Sequence, residues 1–142
     1  MTDILHVPPT AILAGVWPDV RMLLARFGEK WMEENNLDEE HVFMRVLTSQ
    51  WDLWLATDGP ICEGAMVTAA VDDTFYILWA GGMHIEKYLQ QGLMLLERYA
   101  VSRGIYSIKI GGREGWRRLL AAAKYKMDGE LLTKNLKQAY AN

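Results

Sequence analysis

Thr74 to Ile110 reads as strand, glycine pair, helix, strand, and this order constrains the fold more than any other part of the chain. Phe75-Tyr76-Ile77-Leu78-Trp79 is the first strand and Gly81-Gly82 follows it. The helical stretch runs from Ile85 to Arg103, and Ile105-Tyr106-Ser107-Ile108-Lys109-Ile110 is the second strand. Two strands joined by a helix usually run parallel and cross over right-handed. The mouth of such a unit commonly receives an anion, because a helix start offers amides with no intrahelical partner. Here the mouth is present, but most of the residues that would let a phosphate settle in it are missing.

The flanking segments extend the pattern. Ile4 to Pro9 is short and apolar and ends in Pro8-Pro9, which forbids a helix and predicts an extended strand or arm. Val16, Val20, Leu23, Leu24, Phe27 and Trp31 recur at helical spacing, predicting a helix from about Trp17 to Glu34. Asp38 caps a second helix whose first turn holds Glu39 and Glu40. Trp51 to Ala56, Ile61 to Val71 and Phe75 to Ala80 read as an antiparallel meander, with Gly64 marking a possible bulge. Beyond the crossover helix and its strand, a fourth helix is expected from about Gly115 to Ala123 and a last strand over Met127 to Leu132. The expected fold is α/β (α+β), a mixed, mostly antiparallel twisted sheet with one parallel pair, flanked by about four helices.

Length and composition limit what such a chain can be. With 142 residues it reads as a single domain, 1–142. Cys62 is the only cysteine, so neither a disulfide frame nor a thiolate metal site can form within one chain, and a reducing compartment is expected. Met1-Thr2-Asp3-Ile4 lacks a basic region followed by an apolar run, so the chain is not expected to be secreted. No apolar stretch approaches the roughly 20 residues that span a bilayer. The net charge of −3 conceals a split: residues 1–86 carry 14 acids and 4 bases, residues 87–142 carry 11 bases and 4 acids. A solvated helix face explains the basic part; a face for an anion or an acidic partner is the other reading.

The element order resembles the GNAT superfamily of acetyl-coenzyme A–dependent N-acetyltransferases, over nearly the whole chain. The local matches are Asp52-Leu53-Trp54-Leu55-Ala56-Thr57-Asp58-Gly59 in the meander and Leu95-Leu96-Glu97-Arg98-Tyr99-Ala100-Val101-Ser102-Arg103-Gly104 in the crossover helix. The third is Gly111-Gly112-Arg113-Glu114-Gly115-Trp116 with Ala123-Lys124-Tyr125, where the superfamily has a helix ending in Gly-Phe or Gly-Tyr. These motifs look most like a divergent subset associated with bacteriophages and prophages.

The resemblance implies a cofactor motif, Gln/Arg-x-x-Gly-x-Gly/Ala, at the entry to the crossover helix. Counting back from Gly104 places it on His84 to Leu89, with Lys87 and Leu89 where the small residues belong. A side chain there keeps a pyrophosphate from the backbone amides. Gly81 and Gly82, with the amides of Met83, His84 and Ile85, are the candidate cofactor-binding residues that remain. The glycine pair reads equally as a bulge that splays the parallel strands, and His84 equally as the cap of a turn. The resemblance also implies a strand-borne Glu and a tyrosine acid. Phe75 to Ala80 has no acid, and Ala121 and Ala122 stand at the tyrosine's position, so no catalytic residue is assigned.

Arg113, Trp116, Arg117 and Arg118 are the candidate partner-binding residues. An aromatic interleaved with arginines can grip phosphates and bases, but the acidic chain argues against nucleic acid. Trp116 reads first as the core anchor of the fourth helix, with Leu119 and Leu120; since Arg and Trp are favoured in protein contacts, a protein partner or a homo-oligomer is the other reading. His6, His41 and His84 show no metal-ligand spacing, so no metal is expected. The tail from Lys134 is polar and poorly patterned, which suggests a partner chain to hold it. The leading expectation is a GNAT-fold protein with an emptied acetyl-coenzyme A motif. It would bind no cofactor, catalyse nothing and act through protein contacts, as a phage virion or morphogenesis component in the host cytoplasm or the virion. The alternatives are an active N-acetyltransferase that binds acetyl-coenzyme A, and an anion- or nucleic-acid-binding module.

Overall fold

A computed structural model describes residues 2–111 and 117–140. Among the described residues it holds a seven-stranded sheet in the order β1-β2-β3-β4-β5-β7-β6. The strands are β1 (Asp3–Val7), β2 (Asp52–Asp58), β3 (Ile61–Val71), β4 (Thr74–Gly82), β5 (Ser107–Ile110), β6 (Lys126–Asp128) and β7 (Leu131–Asn135). The chain forms two compact units: one of residues up to Thr68 together with Trp79–Ile85, the other of Ala69–Leu78 and the residues from Glu86 on.

In the first unit the expected arm is a strand, and β1 pairs with β2 from Asp3 opposite Thr57 to Val7 opposite Leu53. A short turn α1 (Pro9–Ala11) leads into the helices α2 (Trp17–Phe27), α3 (Glu29–Glu34) and α4 (Glu39–Leu47). The single helix expected from Trp17 to Glu34 is therefore two, broken at Gly28. Glycine is a weak helix former, and the site is also crowded: a side chain at Gly28 would press on Leu24 at 3.0 Å and on the Trp79 ring at 3.2 Å. Asp38 caps α4 as expected, accepting from the His41 amide at 2.8 Å, while His41 Nδ1 accepts from the Asp38 amide. Val20, Leu24, Val42, Val46, Leu53 and Val67 are all but sealed from solvent. The buried Thr68 is satisfied by Trp54, whose Nε1 donates to its hydroxyl at 2.9 Å. The bulge anticipated at Gly64 lies beside it: Ala56 faces Gly64 and Thr57 faces Cys62, leaving Glu63 as the extra residue.

In the second unit β4 and β5 run parallel, from Thr74 opposite Ser107 to Ile77 opposite Ile110. The crossover between them is a tight turn, Ile85–Lys87, followed by the helix α5 (Leu89–Ser102). Leu89, Leu93, Leu96 and Ala100 bury one face of α5, and Gly104 ends it in the left-handed region at φ 74°. Only Arg117–Ala122 of the fourth helix, α6, is described, so the start expected at Gly115 lies outside the described residues. The expected last strand is a hairpin: β6 and β7 pair with Met127 opposite Leu132, turning at Gly129 with φ 67°. β7 then pairs with β5, and a final turn of helix, α7 (Leu136–Ala139), follows.

The tail is held from within the unit, by Glu97. This α5 carboxylate is 1% exposed. It accepts from Tyr125 Oη at 2.8 Å, Lys134 Nζ at 3.0 Å and Tyr140 Oη at 2.8 Å. Leu136 beside them is fully buried. The order of residues 134–140 thus follows from a buried charge and its donors.

Lys124 adopts φ 74°, the left-handed conformation, at the position where the resemblance places glycine. A side chain there costs about 1 kcal/mol. Lys124→Gly is expected to stabilise the chain by about 0.5–1 kcal/mol, part of the gain being offset by the freer unfolded chain. A thermal melt that moves down would contradict this.

Candidate functional site

The residues expected to meet a cofactor lie together at the end of β4. Gly81 and Gly82 are its last residues, Met83 and His84 form the turn beyond, and Ile85 opens the tight turn before α5. Their chemistry follows from Trp79, two residues upstream on the same face. Its ring is buried, stacks on Trp31 at 5.8 Å and 19°, and donates through Nε1 to the Phe27 carbonyl at 3.3 Å. The ring lies so close over Gly81 that a Cβ there would sit 2.6 Å from Trp79 Cζ2 and 2.9 Å from Phe27 Cβ. The absent side chain at Gly81 therefore makes room for an indole.

The turn itself is drawn back onto the sheet. The Met83 amide donates to the carbonyl of the bulged Glu63 at 2.8 Å. Arg26 reaches the Met83 sulfur at 3.6 Å. On the same bulge the Glu63 carboxylate accepts from the Thr2 hydroxyl at 3.1 Å. His84 is exposed with φ 54°, and Ile85 is buried. Tyr88, at the cap position of α5, offers no side-chain hydrogen bond to the helix start. At the motif's two small positions stand Lys87, exposed, and Leu89, 2% exposed.

The acid and the tyrosine that the resemblance implies for proton transfer are missing from their positions. β4 contains no acid and no histidine, and Ala121 and Ala122 are exposed on α6. Cys62 is no ready nucleophile: burial, reinforced by the charge of Asp19, pushes its thiol up to about 11, so the thiolate is scarce at neutral pH. Among the described residues no three His, Cys, Asp or Glu side chains gather as a metal would require, and no helix is long and apolar enough to cross a membrane.

Of the candidate partner-binding residues, Arg113 and Trp116 lie outside the described residues. Arg117 opens α6 and Arg118 beside it is exposed. Sequence reasoning passed over Glu97, although the signal was available: it falls four residues after Leu93 and three before Ala100, on the apolar stripe of its own helix. Glu39, in the first turn of α4, accepts from Trp17 Nε1 at 3.0 Å and from Arg21 Nε at 2.8 Å.

No protein-family model and no curated protein sequence matches the chain. Solved structures do match. An N-acetyltransferase from Staphylococcus aureus Mu50 aligns with a TM-score of 0.76 at 8% identity, over 96% of this chain and 98% of that one. An aminoglycoside 6'-acetyltransferase type Ii aligns at 0.73 and 12% identity, over 94% and 97%. The PaiA N-acetyltransferase from Thermoplasma acidophilum, solved with coenzyme A, aligns at 0.64 and 14% identity, over 95% and 99%. With the parallel β4–β5 pair inside a mostly antiparallel sheet, these alignments establish that the chain has the fold of the GNAT N-acetyltransferases.

Proposed function

We propose that this GNAT-fold chain works by binding other proteins and does not transfer acetyl groups by the route usual for its fold. The observation that carries the reading is the Met83 amide, which donates to Glu63 at 2.8 Å and so is directed onto the sheet. Gly81, packed under Trp79, and Leu89, at a position where the motif wants no side chain, point the same way. The residues from Gly81 to Ile85 fit a pyrophosphate poorly, and the reading takes acetyl-coenzyme A as no part of the protein's function. The short motifs that resemble phage and prophage sequences favour a place in a virion or in its morphogenesis.

A second reading rests on a different observation. The solved structures that share the fold are acetyltransferases, and one was solved with coenzyme A. On that reading the chain acetylates an amine, with the Gly81–Gly82 backbone as an unusual cofactor grip.

Acetyl-coenzyme A separates the two. A ligand at a hundred times its dissociation constant adds about 2.7 kcal/mol to stability. The first reading expects an unchanged melting temperature at saturating acetyl-coenzyme A. A rise of several degrees would establish the second, and Gly82→Val should then abolish both the rise and any acetyl transfer.

A further inference from the structure

The first unit contains a cavity that the reading above does not use. It measures about 400 Å3, and His6, Pro8, Pro9, Ser49, Trp51 and Asp52 are among the residues that line it. It lies where Val7 of β1 faces Leu53 of β2. Thr2 and Met83 both meet Glu63 at the other end of these strands, where Asp3 faces Thr57. Four residues of strand, about 13 Å, separate the two ends. The cavity is therefore distinct from the turn that follows β4.

Its walls are formed in advance. The ring of each proline fixes its own φ, so Pro8 and Pro9 present a stiff apolar surface. Trp51 is held from outside the cavity, with the Arg45 guanidinium over its ring at 4.9 Å and the Trp31 ring at 6.0 Å. The polar groups are fixed as well. The His6 ring stacks on Trp54 at 4.1 Å and 12°, and its Nε2 lies 3.1 Å from Asp52 Oδ1. The second oxygen of Asp52 has no partner among the described residues, and the side chain keeps 34% of its surface open.

The occupant follows from charge and size. A carboxylate among apolar walls repels anions. Small-molecule sites run from about 300 to 1,000 Å3, which puts this one at the size of a single ring with a short arm. We propose that the cavity binds a small organic ammonium, its nitrogen on Asp52 and its apolar body against Pro8, Pro9 and Trp51. His6 is a positioning residue, since it engages one carboxylate oxygen and leaves the other for the ligand. The proposal is independent of whether acetyl-coenzyme A binds.

The test is a titration of the full chain with 2-phenylethylamine at neutral pH, followed by the amide and indole signals in a 1H–15N spectrum. 2-Phenylethanol, uncharged and nearly the same shape, is the comparator. The amine should shift the Trp51 indole and the His6, Ser49 and Asp52 amides, and the alcohol should bind at least tenfold more weakly. Asp52→Asn should weaken the amine at least tenfold, while Asp3→Asn, the same change of charge at the far end of the neighbouring strand β1, should leave it unchanged. Equal binding of amine and alcohol would overturn the proposal. So would wild-type affinity in a folded Asp52→Asn chain, or no shift up to roughly 10 mM, ten times the dissociation constant of a weak ligand. If Asp52→Asn fails to fold, the comparison of amine with alcohol decides alone.

Discussion

Replacing Glu97 with alanine should destabilise the chain by about 3–5 kcal/mol, the usual cost of removing one partner from a buried ion pair. The carboxylate is 1% exposed and the Lys134 side chain 14%, so water cannot take over the lost contacts. Alanine also strips Tyr125 and Tyr140 of the acceptor for their hydroxyls. Glu97→Gln keeps the shape without the charge and should cost less. The check is the urea midpoint at constant slope, which isolates stability from changes in the unfolded chain. A midpoint equal to that of the wild type would show that the network holds nothing. The same network predicts weakening in alkali. Burial, then the hydrogen bond and charge of Glu97, push Tyr140 up to about 12 from the ordinary value near 10. Burial and Glu97 raise Tyr125 further. A tyrosine whose folded value is raised contributes stability below pH 10 and loses it as pH rises from 10 through 12. The unfolding free energy should therefore fall across that window, and fall less steeply in Tyr140→Phe.

Gly81→Ala should cost about 2–3 kcal/mol, large for a single methyl group, because it overpacks a site that cannot relax. The added Cβ would lie 2.6 Å from Trp79 Cζ2, and Trp79 is pinned by the Trp31 stack, the Phe27 carbonyl and the kink at Gly28. Trimming the ring should relieve it: Gly81→Ala with Trp79→Leu should cost clearly less than the two single changes added together. Strict additivity, or a Gly81→Ala chain within about 0.5 kcal/mol of the wild type, would remove the packing account of this glycine.

These two residues show what a one-dimensional reading reaches. The parallel pair and its crossover helix were legible because their signals are local: an apolar strand, a break, the 3.6-residue stripe from Leu89 to Ala100, and Gly104 as terminator. The cap at Asp38 was legible for the same reason. The break at Gly28 was not, since the apolar spacing runs straight through it, although the glycine itself was a local signal. The β6–β7 hairpin was missed although Asp128-Gly129 is a strong turn signal. At the end of β4 the glycines were legible as glycines. What they make room for was not, because Phe27 and Trp79 meet only in the fold. The cavity at His6 and Asp52 was hidden likewise, its two polar residues being 46 positions apart.

The sheet order β5-β7-β6 sets a sequence of events for a nascent chain. β6 is synthesised before β7, yet reaches the sheet only through it, so β6 has no docked place until Asn135 has emerged. Glu97 waits as long, because two of its three donors, Lys134 and Tyr140, come later still than Tyr125. From the synthesis of Glu97 until residue 134 the crossover helix therefore carries a negative charge on its apolar side without its lysine partner. Its partners are complete only when residues 134–140 arrive to close the unit.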